Sequence, residues 1–124
     1  MTKKYLAHVI EIDPYVEDLI VLRVNDVTFR GFASYCPFVV DVGKTYEVEL
    51  EMVLPEELAI SKIENEEERI EMLGNGFSCE IYGRLEGDIV KSFVEFSDQG
   101  LHYDYPHLNE QFVKITAERI DVSF

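Results

Sequence analysis

The segment from Asp98 to Glu110 is the part of the sequence best equipped for chemistry. It holds two of the three histidines of the chain, together with several carboxylates and tyrosines. His102, Asp104 and His107 are the residue types of a two-histidine, one-carboxylate metal set, or of acid–base groups in an enzyme. Neighbouring residues of one loop seldom converge on an ion without a rigid frame. We therefore expect no metal and no cofactor, and we keep a metal-dependent enzyme only as the remotest alternative.

The same segment has a structural interpretation, which we favour. Its apolar and aromatic residues would close one end of a β-barrel while its polar groups stay in water. Long ordered loops also carry binding sites. A small-molecule or carbohydrate pocket is the corresponding alternative, and its candidate ligand-binding residues are Tyr35, Phe38, His102, Tyr103, Asp104, Tyr105 and His107.

Carboxylates give the stronger signal. From residue 47 to 71 there are ten glutamates against Lys62 and Arg69, so this stretch holds −8 of the net charge of −14. An acidic surface that serves only solubility is the simplest explanation. The functional alternative is a surface that attracts a basic protein and loses strength with salt. The candidate partner-binding residues are Glu47, Glu49, Glu51, Glu56 and Glu57.

Charge and motif content exclude several function classes. With 11 Lys and Arg against 25 Asp and Glu, the surface repels nucleic acid. The sequence contains no phosphate-binding loop, nucleophile elbow, His-Glu-x-x-His, paired Cys-x-x-Cys or calcium loop, which argues against an enzyme.

The short apolar stretch after Lys4 is too brief for a signal peptide, and no run is long enough to span a membrane. We expect a cytoplasmic protein in which Cys36 and Cys79 are free thiols.

Alternation of apolar and polar residues predicts the elements that must hold these groups. Strands are predicted over 5–13, 19–24, 27–33, 46–52, 77–85, 89–96 and 111–124, with Asn25-Asp26 as a hairpin turn. The capping-box spacing of Ser61 and Glu64, followed by Gly74, predicts a short helix within 55–74. In the last strand the apolar phase changes near Glu118 and Arg119, which a β-bulge would explain.

Such a pattern predicts one domain, 1–124, that is mainly β. The expected architecture is a small antiparallel β-barrel with one short helix, and a β-sandwich is the alternative. The meander, the helix and the long last strand, with Val42-Gly43-Lys44-Thr45-Tyr46-Glu47-Val48 as the entry to one barrel strand, resemble the OB-fold. That resemblance implies an oligonucleotide, oligosaccharide or protein ligand on the face of the second and third strands and on the adjoining loops, and the net charge disfavours the first.

We therefore expect a non-enzymatic acidic module that binds a basic protein partner. Small acidic immunity or inhibitor proteins that cover a nuclease provide an analogy in size and charge. The pattern says nothing about the oligomeric state.

Overall fold

The computed structural model describes residues 3–124, which form two β-sheets around a shared core. The expectation that no signal peptide is present also involves residues 1 and 2, which lie outside the described residues. The elements are β1 (Lys4–Ile12), β2 (Leu19–Val24), β3 (Val27–Tyr35), β4 (Thr45–Val53), β5 (Ile60–Lys62), β6 (Arg69–Met72), β7 (Cys79–Glu86), β8 (Ile89–Lys91), β9 (Glu95–Ser97), α1 (Gln99–Asp104), a 3₁₀ turn (Pro106–Leu108), β10 (Phe112–Ala117) and β11 (Arg119–Ser123).

Five strands form a closed barrel in the order β1-β2-β3-β11-β4, with β4 pairing back onto β1. All neighbours are antiparallel except β3 and β11, which run parallel. The predicted mainly-β barrel with one short helix is confirmed. The first sheet closes on itself, so the barrel is observed and the β-sandwich alternative is wrong.

The second sheet has the order β5-β10-β7-β8-β9, and β6 also pairs with β7. β10 occupies one edge of β7, whereas the other edge is divided between β6, opposite Cys79–Tyr82, and β8, opposite Arg84–Glu86. Gly83 lies at this division. Its lack of a side chain is required there, because a Cβ atom would lie 2.5 Å from the carbonyl oxygen of Lys91.

Both sheets contribute their apolar faces to one continuous core. Val48, Leu50 and Met52 fill the barrel from β4, while Ile81 and Ile115 line the second sheet. The rings of Phe29 and Phe93 meet with centroids 5.4 Å apart and join the two parts. Burial of such side chains is the main stabilising contribution to a domain of this size.

The chain passes into and out of the second sheet at one point of the barrel. The N–H of Glu118 donates to the carbonyl oxygen of Val53 at 2.8 Å, directly beside the pairing of Arg119 with Val53. The predicted β-bulge in a single strand 111–124 is wrong. The apolar phase changes at Glu118 because the chain leaves one sheet there and enters the other.

Two further predictions about elements are corrected by the structure. Residues 55–74 form no helix, because β5 and β6 pair with β10 and β7 instead. The predicted strand 89–96 is a hairpin, since the chain turns at 92–94 and β8 pairs with β9.

The Asn25-Asp26 turn is confirmed, with φ of 50° and 65° at the two residues, as a type I′ hairpin turn requires. Among residues 3–124 no helix has the length and apolar character to cross a membrane.

Candidate functional site

The outer face of β4 carries the carboxylates that the alternation predicted. Glu47 and Glu51 are exposed and Glu49 is half-buried, while the residues between them point into the barrel. This arrangement follows from the period of two in a strand that has water on one side and core on the other. Three glutamates thus lie in one row along the barrel surface. We call this row the β4 acidic row.

Its neighbours on the sheet only partly compensate this charge. On the β1 side, Lys4 lies opposite Glu49 and its ammonium is 3.5 Å from a carboxylate oxygen of Glu47. On the β11 side, Glu51 lies opposite another carboxylate, Asp121, which itself accepts a 2.7 Å hydrogen bond from Arg119. Like charges opposite one another on a sheet repel, so the row is an unfavourable arrangement that the barrel core does not require.

Glu56 and Glu57 do not continue the row. Both are exposed on the connection from β4 to β5, beyond the end of the strand. Part of the remaining acidic run is already compensated, because the guanidinium of Arg69 lies 3.3 Å from Glu67 and 3.4 Å from Glu71 and stacks on the ring of Tyr82. Within the acidic run, the β4 acidic row is therefore the set of three carboxylates that one strand places on a single face.

Tyr35 lies beside the acidic row. A cleft of about 190 Å³ is lined by Tyr35, Lys4, Glu47, Glu49 and Phe124, among others. Phe38 lies in the following loop and its ring stacks on Tyr46 at 5.6 Å and meets Phe124 edge-on at 6.3 Å. The two aromatic candidates are thus at one end of the barrel, where the strands β3 and β11 finish.

The candidates from the 98–110 segment lie elsewhere, on the second sheet. His102 and Tyr103 line a cleft of about 340 Å³ together with Gly87, Asp88 and Gln99. Tyr105 is half-buried against the core, whereas Asp104 and His107 are exposed. The structure thus divides the predicted ligand-binding residues between two regions.

The segment itself is firmly anchored. The side chain of Asp98 caps α1 by accepting from the N–H of Gly100, Leu101 is fully buried, and the N–H of Gly87 donates to the side chain of Asn109 at 2.7 Å. The segment lies against the second sheet, where the N–H of Asp98 donates to Asp88 and that of Glu110 to Leu85, so the expectation that it closes one end of the barrel is wrong. No three His, Cys, Asp or Glu side chains within residues 3–124 are grouped as a metal site, so His102, Asp104 and His107 are not brought together as ligands.

Sequence reasoning missed two features of the surface. One is an apolar cleft at the open end of the barrel, and the other is a cleft of about 420 Å³ between Lys62, Arg84 and the carboxylates of Glu64, Glu66 and Glu110. The Nε of Arg84 is buried and has no hydrogen-bond partner among the described residues. The apolar run Phe38-Val39-Val40 in a loop was a sequence signal for the apolar cleft. The sequence held no signal for the cleft at Lys62 and Arg84, because its residues come from distant parts of the chain.

These features define a small acidic β-barrel domain with a second sheet inserted between two adjacent barrel strands. The chain belongs to the family described as Uncharacterised conserved protein UCP019853, which matches residues 3–124. No curated protein and no solved structure matches the chain.

Proposed function

We infer that this protein is a non-enzymatic interaction module that binds a basic protein partner through the β4 acidic row. The observation that carries this proposal is the outward row Glu47, Glu49 and Glu51 on a strand whose inward residues are all core. The core dictates only that these positions be polar. Three carboxylates in one row raise the local negative potential, which favours a partner with a complementary positive surface.

The surroundings of the row support the same proposal. Glu51 faces Asp121 across the strand pair, so a cation from a partner would relieve a repulsion that is present in the free protein. Lys4 is the cation that the sheet places against Glu47, and this ion pair is exposed and contributes little. A partner lysine or arginine can therefore add to the row without displacing a strong internal contact.

We further propose that the barrel is of the OB type. In support of this, five strands close in the order β1-β2-β3-β11-β4, and the second sheet is an insertion in the chain between β4 and β11.

The outer face of β3, which OB barrels use for ligands, is partly covered in this protein. Arg30 donates to the carbonyl oxygens of Gly74 and Gly76 at 2.6 and 2.8 Å, and the Phe32 ring meets that of Phe77 at 5.5 Å. Binding at the β4 face avoids this obstruction.

The test is capture of a partner from the native cells. Tagged wild-type protein is used at low ionic strength and at high salt, and bound proteins are identified by mass spectrometry. We expect basic proteins at low salt only. The variant E47Q/E49Q/E51Q should lose them, because three negative charges are removed from the row.

The matched control is E64Q/E66Q/E68Q, which removes the same charge from exposed positions between β5 and β6. This variant should retain the partner. An equal loss in both variants would indicate a response to net charge alone, and an unchanged yield in E47Q/E49Q/E51Q would refute the proposal.

A second candidate function rests on the cleft at α1. Its volume of about 340 Å³ reaches the lower range of small-molecule sites, and the ring of Tyr103 is 79% exposed beside it, as stacking on a sugar would require. Saturable binding of a carbohydrate from a glycan array, insensitive to salt and lost in H102A and Y103A, would favour this candidate over the acidic module.

A further inference from the structure

The exposed apolar side chains of this protein are concentrated at one end of the barrel. Of ten large hydrophobic residues exposed among residues 3–124, eight fall between residues 10 and 42. These eight belong to the end of β1, the connection to β2, the end of β3 and the connection to β4, which all meet at the same barrel end. We call six of them the barrel-end surface: Ile10, Ile12, Val16, Phe38, Val39 and Val42.

Hydrogen bonds hold both connections in place. The carboxylate of Asp13 accepts from the N–H groups of Tyr15 and Val16 at 2.8 and 2.7 Å, and these two bonds lower the pKa of Asp13. In the other connection, the N–H of Gly43 donates to the carbonyl oxygen of Val9 at 2.8 Å. The apolar side chains are thus presented by fixed backbone, which reduces the entropy lost on binding.

A cleft lies within this end of the barrel. It has a volume of about 210 Å³ and is lined mainly by apolar side chains, including Ile12, Val40 and Phe124, by the thiol of Cys36, and by one carboxylate, Asp18. A cavity of this size accommodates one large aliphatic or aromatic side chain. Because Phe124 also lines the cleft that contains Glu47 and Glu49, the barrel end is continuous with the β4 acidic row.

Carboxylates surround the apolar surface. Glu11, Glu17 and Asp18 are exposed on the β1–β2 side, whereas Asp41 on the other side is paired with Lys44 at 3.4 Å. A second copy of this chain is a poor occupant, because each copy has a net charge of −14 and these carboxylates would approach one another. An apolar surface with this border complements a segment that is both apolar and cationic.

We propose that the barrel end binds a peptide segment of a partner protein in which a large apolar residue is flanked by lysine or arginine. The apolar side chain enters the cleft at Ile12 and Phe124, and the neighbouring cation lies at Asp18 and Glu17. This proposal rests on the proposed function, since it describes how the same basic partner is anchored. It adds an apolar contribution to the affinity, while capture of the whole partner still depends on the ionic contacts of the β4 acidic row and hence on low salt.

The first test uses a random peptide library displayed on phage, selected on the wild-type protein. Enriched peptides should combine leucine, phenylalanine or tryptophan with lysine or arginine. Because the chain contains no tryptophan, the emission of a tryptophan-bearing peptide reports only on the peptide, and a blue shift would indicate burial. Enrichment of acidic or purely polar peptides, or no enrichment, would overturn the proposal.

Variants then locate the binding site. I12S/V39S should weaken binding of the selected peptide at least about tenfold, because it removes two apolar side chains of the barrel-end surface against which the peptide packs. D18N should weaken binding of the peptide several-fold at low salt, because it removes the carboxylate charge. Asparagine is chosen because it tolerates the left-handed backbone that Asp18 adopts, with φ of 62°. L6S removes an exposed apolar side chain that lies outside the barrel-end surface; it is the control and should bind normally. Unchanged binding by I12S/V39S would refute the site.

A chemical footprint gives an independent readout. Cys36 is exposed and lines the cleft, whereas Cys79 is buried, so the rate of alkylation of native protein by N-ethylmaleimide reports on Cys36. The bound peptide should slow this reaction, and an unaffected rate would place the peptide elsewhere.

The two proposals fail in different ways. If E47Q/E49Q/E51Q loses the cellular partner but retains the peptide and the Cys36 protection, both stand. If I12S/V39S captures the partner as well as the wild type does, the barrel-end proposal is wrong and the acidic row is unaffected. If sedimentation of the wild type shows a dimer and that of I12S/V39S does not, the occupant of the barrel-end surface is a second copy of this chain and the peptide proposal is wrong.

Discussion

The hydroxyl oxygen of Tyr5 accepts a hydrogen bond of 2.9 Å from the backbone N–H of Glu95. Tyr5 belongs to β1 of the barrel and Glu95 to β9 of the second sheet, so this bond joins the two sheets. Lys3 forms an ion pair with the side chain of the same glutamate. The relative position of the sheets is thus fixed by a directional contact as well as by the shared core.

Tyr5→Phe should destabilise the protein. The substitution keeps the ring but leaves the part-buried N–H of Glu95 without its acceptor, which costs about 1–3 kcal/mol. Urea unfolding followed by circular dichroism measures the change. Tyr103→Phe, at an exposed ring, should change stability by less than about 0.5 kcal/mol, and an equal loss in both variants would contradict our account of the Tyr5 contact.

Gly83→Ala should be among the more damaging single substitutions. The new Cβ would lie 2.5 Å from the carbonyl oxygen and 2.9 Å from the carbonyl carbon of Lys91. Both are backbone atoms of a paired strand and cannot move away alone, so we expect a loss of about 1–3 kcal/mol or more. Gly76→Ala is the matched control, because nothing lies within 4 Å of its Cβ position. A thermal melt that does not separate the two would contradict the described junction of β6 and β8.

The two faces of β4 should respond oppositely to substitution. Leu50 is 2% exposed, so Leu50→Ala should cost about 2–5 kcal/mol. E47Q/E49Q/E51Q should be nearly neutral or slightly stabilising, because it removes repulsion at Asp121 and only one exposed ion pair, worth about 0–1 kcal/mol. Denaturant titration of both variants checks this. Similar losses in the two would mean that the strand faces are assigned wrongly.

Burial raises the pKa of the Cys79 thiol to about 11. Near neutral pH, Ellman's reagent should therefore modify one thiol of the native protein, Cys36, and both thiols after unfolding. The raised pKa also has a consequence for stability. The unfolded chain loses this proton near the ordinary pKa of 9.0, so stability is intact below pH 9 and falls as pH rises towards 11.

Cys79→Ala separates this effect from the titration of other groups. The variant should be less stable than the wild type at neutral pH because a buried sulfur is lost. The difference should shrink between pH 9 and 11, measured by denaturant unfolding at each pH. A difference independent of pH, or rapid native labelling of Cys36→Ser, would be inconsistent with a buried Cys79.

Local sequence patterns predicted the barrel strands correctly where contacts between neighbouring residues determine the structure. The alternation of Glu47–Met52 identified both faces of β4, and the Asn25-Asp26 pair identified a hairpin turn. Both signals depend on physics that operates within a few residues: side-chain direction along a strand, and the backbone that asparagine and aspartate tolerate.

The errors arise where distant residues determine the outcome. The spacing of Ser61 and Glu64 is compatible with a helix start, but pairing of β5 and β6 with β10 and β7 satisfies the same backbone groups. The change of apolar phase at Glu118 was detected correctly, but a bulge and a passage between sheets leave the same local pattern.

For the candidate site, the sequence identified the β4 acidic row as an exposed strand face. Alternation could not show that Ile12 and Val39 share one exposed end of the barrel, because closure of the ring brings them there. It could not show that the second sheet separates Tyr35 from His102 either.

The position of the second sheet in the chain has a consequence for folding. β4 and β11 are neighbours in the barrel, yet the whole second sheet is synthesised between them, so an ordered second sheet, whose two ends meet at Val53 and Glu118, lowers the entropy cost of closing the ring. A protein in which the second sheet alone has unfolded would lose that advantage and the part of the shared core that the sheet supplies, which weakens the hold of β11 on the edges of β3 and β4. Unpaired strand edges pair with other chains, so damage to the insertion should lead to aggregation rather than to a soluble, smaller barrel.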